Sequence, residues 1–237
     1  MKITYLYHSG FAIEGETFVL ILDYYTGAEN IIAGLLASRI PLYVLVTHSH
    51  ADHFNPDILT WKDKHPDIHY IFSSELYRRV GDLPDVTYLK TLEDYHDDRL
   101  NIRAFGSTDT GGSFLIESDG IKVFHAGDLN NWHWKDESTP QEVRQADSDY
   151  LHELGVLAKY APSIDVVMFP VDARMGTDYM LGAVQFIEEI QVKVFIPMHF
   201  TAHPEAVMAF REEAAKRNVQ FVPLMETGEG IEFVAEK

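Results

Sequence analysis

Three histidines and an aspartate fall within six residues of one another in the run Val46-Thr47-His48-Ser49-His50-Ala51-Asp52-His53-Phe54. Imidazole nitrogen and carboxylate oxygen are the donors that hold Zn²⁺, Mn²⁺ or Fe. In extended backbone, residues two apart point to the same side, so His48 and His50 can grip one ion. Asp52 and His53 lie past a turn and can aim at a second ion beside it. The bland alternative is a polar loop whose histidines cap backbone groups or face solvent, and it leaves the concentration of donors to accident. The run follows the apolar segment Leu42 to Val46. The donors therefore begin where a buried strand ends, the usual place for a site in an α/β architecture.

Two more donors end apolar strands in the same way. Asp128 follows Ile121 to Phe124, and His199 follows Val194 to Met198. Either residue alone would be as readily a turn residue. Taken with the first cluster, both become candidate ligands that reach the same rim. Asp23 closes the run Leu20-Ile21-Leu22 and is a candidate to hold the ligand loop rather than the ion.

The elements that must position these groups can be read from patterning. The segments 3–13, 17–25 and 42–50 have strand chemistry, with a Gly-Glu turn between the first two. Asn55 as N-cap and Pro56 at the first position predict a helix through about residue 66. A strand over 67–74 and a short helix over 74–80 follow. Four more strands are expected over 86–90, 99–105, 111–118 and 121–128, with Ser118-Asp119-Gly120 as a hairpin turn. Thr139-Pro140-Gln141-Glu142 is a capping box with proline at the first helical position, and Val143, Ala146, Tyr150, Leu154 and Leu157 follow at helical spacing. Strands over 165–172, 193–200, 219–225 and 230–236 alternate with helices over about 178–190 and 204–217. Many strands in both halves with several helices predict two packed sheets flanked by helices, built as one domain over residues 1–237.

The chain resembles the metallo-β-lactamase fold superfamily. Thr47 to His53 matches its H-x-H-x-D-H signature, and Asp23, Asp128 and His199 match further motif positions in order along nearly the whole chain. The phrases Leu6 to Glu14 and Phe124 to Asp128 are most similar to the branch that holds small metal-dependent hydrolases and the ascorbate-6-phosphate lactonase. The resemblance implies a four-layer αββα sandwich of two mixed sheets flanked by helices, with a one- or two-metal site at its edge. It makes Asp128 the carboxylate that bridges two metals and His199 a ligand of the second. It makes Asp23 a brace for the metal loop.

One motif position departs from the family. The third histidine of the first site should follow the strand over 99–105, and Gly106, or a neighbour in Gly106-Ser107-Thr108-Asp109, stands there instead. Three repairs are open. Asp109 can supply an oxygen, His133 can swing in from the loop after Asp128, or water alone completes the site. Asp109 ranks first because it lies nearest the expected position. His133 is otherwise a substrate-facing or surface residue.

Other residues carry two readings each. His8 either touches substrate near the pocket or packs in its strand. His125 is expected to support the site rather than to ligate. Arg174 can grip a substrate carboxylate or phosphate in a bidentate way, or pair with Asp172. Trp132 and Trp134 either wall a pocket or anchor the long helix. The Gly111-Gly112 pair allows close backbone approach and could cradle an anion.

Composition narrows the chemistry. The formal net charge of −18 disfavours a nucleic-acid partner, which needs clustered Lys and Arg. Small anionic substrates stay open, because a bound metal inverts the local field. No apolar run is long enough for a membrane span. The first fifteen residues alternate like a strand, so an unprocessed N-terminus is expected. With no cysteine there is neither a disulfide nor a thiolate ligand, which fits a cytoplasmic protein. No serine sits in a G-x-S-x-G context, so serine and cysteine nucleophiles do not compete. The leading expectation is a metal-dependent hydrolase of a small-molecule ester, lactone or phosphoester. It would act through a metal-bound hydroxide, with Asp52 and Asp128 as the catalytic carboxylates. Zn²⁺ is the first choice, as one or two ions, with Mn²⁺ or Fe as alternatives. The rivals are a metal-centred oxidoreductase on the same fold and a degenerate member that binds without turnover.

Overall fold

The computed structural model describes residues 1–234. Two seven-stranded mixed sheets carry the chain. The first sheet contains β1 (Lys2–Tyr7), β2 (Gly10–Glu14), β3 (Val19–Leu22), β4 (Leu42–Val46), β5 (Ile68–Ser73), β6 (Val86–Leu89) and a late addition, β14 (Gly230–Glu232). The second contains β7 (Asp94–His96), β8 (Asn101–Phe105), β9 (Ser113–Ser118), β10 (Ile121–His125), β11 (Ser163–Pro170), β12 (Gln191–Met198) and β13 (Gln220–Phe221). Their spatial orders are β14-β1-β2-β3-β4-β5-β6 and β13-β12-β11-β10-β9-β8-β7. In each sheet the pairs through β3 and through β10 are antiparallel, and the later pairs are parallel. The two halves of the chain thus repeat one topology.

Strand alternation divides the interior. Tyr5, Phe11, Leu20, Leu22, Tyr43, Leu45 and Ile71 join one core with the second sheet's Ile102, Phe114, Phe124, Phe169 and Phe195. The alternate residues Leu6, Ala12, Val19, Ile21, Val44, Val46 and Phe72 face a second cluster with Ile32, Leu36, Ile58 and Trp61. Period-two side-chain alternation is what lets one strand serve both layers. The helices α3 (Pro140–Tyr160), α4 (Leu181–Glu189) and α5 (Phe210–Lys216) cover the second sheet through Tyr150, Leu154, Leu157, Phe186 and Phe210. The capping box of α3 forms as expected: Thr139 N–H donates to Glu142 at 2.8 Å, and Thr139 Oγ1 accepts from Glu142 N–H.

Several boundaries differ from expectation. The first strand breaks into β1 and β2 because His8 turns the chain with φ 56°. Helix α1 (Glu29–Leu36) gave no sequence signal: Ala28 makes no side-chain cap and Gly34 interrupts it, whereas α2 (Tyr77–Val80) falls within the short helix expected over 74–80. The segments Pro56–Asp63 and Pro204–Ala209 are 3₁₀ rather than α. In the first, the buried residues are Ile58 and Trp61, and a 3₁₀ helix stacks residues three apart on one face. The Asp119-Gly120 hairpin has positive φ at both residues, 52° and 76°, as a type I′ turn requires. The strand expected over 230–236 is observed as β14, and residues 235 and 236 lie outside the described residues. Among the described residues no helix is long and apolar enough to cross a membrane.

Candidate metal centre

Parallel alignment brings the C-terminal ends of β1, β3, β4, β8, β10, β11 and β12 to one rim. His8, Asp23, His48, Asp109, Asp128, Asp172 and His199 all follow those ends. The rim is held tightly by backbone. Gly111, at φ 78°, lies so close to the metal loop that a Cβ there would stand 2.2 Å from the Thr47 carbonyl oxygen and 2.5 Å from His48 Cβ. Gly112 N–H donates to Thr47 O at 3.1 Å. The glycine pair therefore seats the metal loop. The side facing Gly111 is filled by protein atoms rather than left for an anion.

Two donor groups meet at Asp128. Its Oδ2 lies 3.4 Å from His48 Nε2, and His48 Nε2 is 3.1 Å from His50 Nδ1. Its Oδ1 lies 3.1 Å from His53 Nε2 and 3.5 Å from His199 Nε2. The ligand atoms of His48, His50 and Asp128 fall within 4.8 Å of one another, and so do those of His8, Asp52, His53 and His199. Donors around a tetrahedral Zn²⁺ stand about 3.4 Å apart, so both groups have the right scale. Splitting its oxygens between two groups is what a bridging carboxylate does.

The ring nitrogens that face away from the rim are held by partners. His53 Nδ1 donates to Asp23 Oδ2 at 2.8 Å. His199 Nδ1 donates to Asp172 Oδ2 at 3.0 Å. Thr47 Oγ1 donates to Asp23 Oδ2 at 2.6 Å, which leaves its oxygen to accept from His48 Nδ1 at 3.0 Å. Each of these contacts holds a proton on Nδ1 and aims Nε2 at the rim, the arrangement in which an outer partner orients a metal-binding histidine. Asp23 also stands within ligand distance of His48 and His53. Its two oxygens are already taken by Thr47 N–H, the Thr47 hydroxyl and His53, so it braces the loop.

Charge at the centre is arranged for a cation. Burial alone would push the His53 imidazole down, but Asp128 and Asp23 outweigh it and push it up to about 10. Burial would raise the Asp128 carboxyl, yet His53, His48 and His199 hold it well below the usual range. Asp52 is held low chiefly by His8. Asp172 is held low against its burial by His199 and Arg174. The buried atoms His8 Nε2, His53 Nε2 and Asp128 Oδ1 make no hydrogen bond. Unpartnered buried polar atoms are rare in native proteins. A divalent ion would satisfy all three, so the donor set fits one.

The remaining candidates separate. Asp109 Oδ2 is 3.9 Å from His50 Nδ1, and both side chains are nearly half exposed. His133 is not brought to the cluster. It is buried, its Nδ1 accepts from Lys135 N–H, and its Nε2 donates to Asp178 O. With both nitrogens committed it has no donor for a metal. His125 is likewise filled, donating to Ser9 O and accepting from Gly127 N–H. Arg174 pairs with Asp172 at 2.9 Å, as one of its readings expects, and also lines a cavity of about 320 Å³ with Asp52, Asp109, Asp128, Trp132 and Trp134. Trp132 and Trp134 stack at 6.3 Å, and Trp132 meets the His199 ring edge-on at 5.6 Å.

Three groups escaped the sequence. Asp172 carries the same strand-end signal as Asp128 but was visible only as a partner for Arg174. Glu75 accepts from Ser49 N–H at 2.9 Å and Ser49 Oγ at 2.8 Å, fixing the residue between His48 and His50. Glu153 of α3 fills the space beside Gly106, where a Cβ would stand 2.0 Å from Glu153 Oε2. Neither Glu75 nor Glu153 has a local motif.

Comparison with known proteins identifies the family. Residues 2–148 match the model of the beta-lactamase superfamily domain. A metal-dependent hydrolase of Symbiobacterium thermophilum is 30% identical over 87% of each chain. One of Archaeoglobus fulgidus is 28% identical over 98% of this chain and 99% of the relative. A metallo hydrolase of the archaeon Ignicoccus hospitalis superimposes with a TM-score of 0.75 at 17% identity, covering 99% of both chains. The chain belongs to the beta-lactamase superfamily, among its metal-dependent hydrolases.

Proposed function

From that membership we propose that the protein hydrolyses a small-molecule ester, lactone or phosphoester at a two-metal centre, with Zn²⁺ as the first-choice ion. The observation that carries this reading is the division of Asp128, one oxygen toward His48 and the other toward His53 and His199. When bound, the ions lower the pKa of water so that hydroxide is available near neutral pH, and they polarise the substrate oxygen.

The chain's own groups do the rest. His48, His50, Asp128 and Asp109 would hold one ion, and Asp52, His53, Asp128 and His199 the other. Asp52 is half-exposed on the cavity and can orient the attacking water or take its proton. Trp132 and Trp134 offer a flat apolar wall to the substrate's body. Among the described residues Arg174 is the one arginine or lysine lining the cavity, placed to hold an anionic group of the substrate. Its charge is shared with Asp172, so it suits a single carboxylate or phosphate better than a polyanion. That restriction agrees with the net charge of −18, which repels nucleic acid.

The test is a panel of esters, lactones and phosphodiesters assayed on metal-stripped protein with Zn²⁺, Mn²⁺ or Fe²⁺ restored. Turnover should need metal and should vanish in Asp128→Ala. Full activity in stripped protein, or in that variant, refutes the proposal.

A further inference from the structure

His8 lies outside the H-x-H-x-D-H run, in the Leu6 to Glu14 phrase to which the resemblance gives no ligand, yet it reaches the buried half of the centre. It follows β1 with φ 56°, a left-handed backbone uncommon for any residue but glycine. It packs against the His199 segment. His199 N–H donates to His8 O at 3.3 Å, and the two rings lie 4.2 Å apart. On the other side of the ring, Nδ1 is 2.9 Å from Thr201 Oγ1. With Nδ1 donating to that hydroxyl, the Nε2 lone pair is free. Nε2 is buried, makes no hydrogen bond, and stands 3.4 Å from Asp52 Oδ2. It is one of four ligand atoms, with those of Asp52, His53 and His199, that all fall within 4.8 Å.

We propose that His8 is a direct ligand of the buried metal site through Nε2, positioned by Thr201. This inference rests on the two-metal reading above, but not on the identity of the substrate. It gives the buried site three imidazoles and oxygens from Asp52 and Asp128. The exposed site keeps two imidazoles. A hydroxyl holding Nδ1 of His8 stands where Asp23 and Asp172 stand for His53 and His199, so all three rings of the buried site are held from behind. The rival account is a simple His8–Asp52 ion pair, in which Nε2 carries a proton and never meets a metal.

Calorimetric Zn²⁺ titration of stripped wild type, His8→Ala, His8→Gln and Thr201→Val separates the two, together with visible spectra of the Co²⁺-loaded forms. A ligand role predicts that the tighter Zn²⁺ site weakens by about 100-fold or more in both His8 variants. Thr201→Val should lose about 10-fold, because outer partners of a ligand typically cost 10–100-fold in affinity. The Co²⁺ absorption bands should intensify in the His8 variants as the coordination number falls. His8→Gln keeps the ring's approximate volume and serves if the alanine variant does not fold. Titrations and Co²⁺ spectra that overlay on wild type, with only the melting temperature of the metal-free protein lowered, establish the ion pair and overturn the proposal. Failure of wild type to bind any divalent ion overturns both this inference and the hydrolase reading. Metal binding without turnover overturns only the latter, and the His8 titrations still decide the former.

Discussion

Replacing Asp23 with asparagine should damage metal binding at a residue that touches no metal. Asp23 is fully buried and accepts three hydrogen bonds: Thr47 N–H on Oδ1 at 2.8 Å, and the Thr47 hydroxyl and His53 Nδ1 on Oδ2 at 2.6 and 2.8 Å. Asparagine keeps the shape but has one acceptor. If its oxygen takes the Oδ1 place, its NH₂ meets His53 Nδ1–H, and the imidazole must move its proton to Nε2. The lone pair then sits on Nδ1, facing away from the rim, instead of on Nε2, which faces Asp128 Oδ1 at 3.1 Å, and a metal must reverse that tautomer to bind. If the oxygen takes the Oδ2 place, the NH₂ opposes Thr47 N–H, and a buried donor goes unpaired at a cost of about 1–3 kcal/mol. Either way the expected loss is about 1.4–2.8 kcal/mol, or 10–100-fold in affinity. Zn²⁺ calorimetry on stripped Asp23→Asn should show the tight site weakened by that factor, with stoichiometry kept at saturation. The metal-free variant should also melt a few degrees lower, at about 2–4 °C per kcal/mol for a chain of this length. A titration that superimposes on wild type would refute the claim that Asp23 sets the His53 tautomer.

Asp109→Ala should lower stoichiometry at micromolar Zn²⁺ from two ions to one by elemental analysis; two ions retained at unchanged affinity would exclude Asp109 as the substitute ligand. In metal-free protein His53 is raised to about 10, so its pairing with Asp128 and Asp23 stabilises the fold fully below about 6.5. That contribution drains away as pH rises through about 10, so the melting temperature of stripped protein should fall over this window, while Zn²⁺, which replaces the proton, flattens the profile. Gly106→His places its Cβ on the Glu153 carboxylate, the far end of a side chain that can swing aside, so the melting temperature should change little. A clear fall that Glu153→Ala recovers in the same chain would show instead that Glu153 is held in place.

How much of this the sequence reveals depends on how local the cause is. His48, His50, Asp52 and His53 announce themselves because four donors share one loop. Asp23, Asp128 and His199 do so because each ends an apolar strand, and parallel strands end together. Asp172 obeys the same rule, but a neighbouring arginine offers a simpler partner and hides its contact with His199. The contact between His8 and Thr201 spans 193 residues, and no pattern in either segment foretells it. Glu153 lies on a helix whose apolar spacing explains its neighbours Tyr150, Leu154 and Leu157, which leaves the glutamate looking like a solvated face. The replacement of a histidine by Gly106 is visible as a gap. That a helix carboxylate occupies the gap is decided by how α3 crosses the second sheet, a tertiary fact. His133 misled for the converse reason. Nearness to Asp128 in sequence suggested reach, whereas backbone groups at Lys135 and Asp178 had already claimed both its nitrogens.

The two halves of the centre differ in a way that assigns them different work. His8, His53, Asp128 and His199 are almost wholly buried, only Asp52 of this half is half-exposed, and the three rings are held from behind by Thr201, Asp23 and Asp172. An ion placed there would meet donors already in position and would lose little entropy in ordering them. The other half is open: the side chains of His50 and Asp109 are 47% and 46% exposed, and both line the cavity with the tryptophans and Arg174. An ion there would have to organise a flexible carboxylate, and would keep positions free for water and substrate. Open coordination positions are what a catalytic metal needs, and closed ones are what a structural metal has. Gly106 in place of a third histidine is therefore no sign of decay by itself. With Asp109 as the substitute ligand, it would exchange an imidazole for a half-exposed carboxylate on the cavity side and leave Asp128 as the group both halves share.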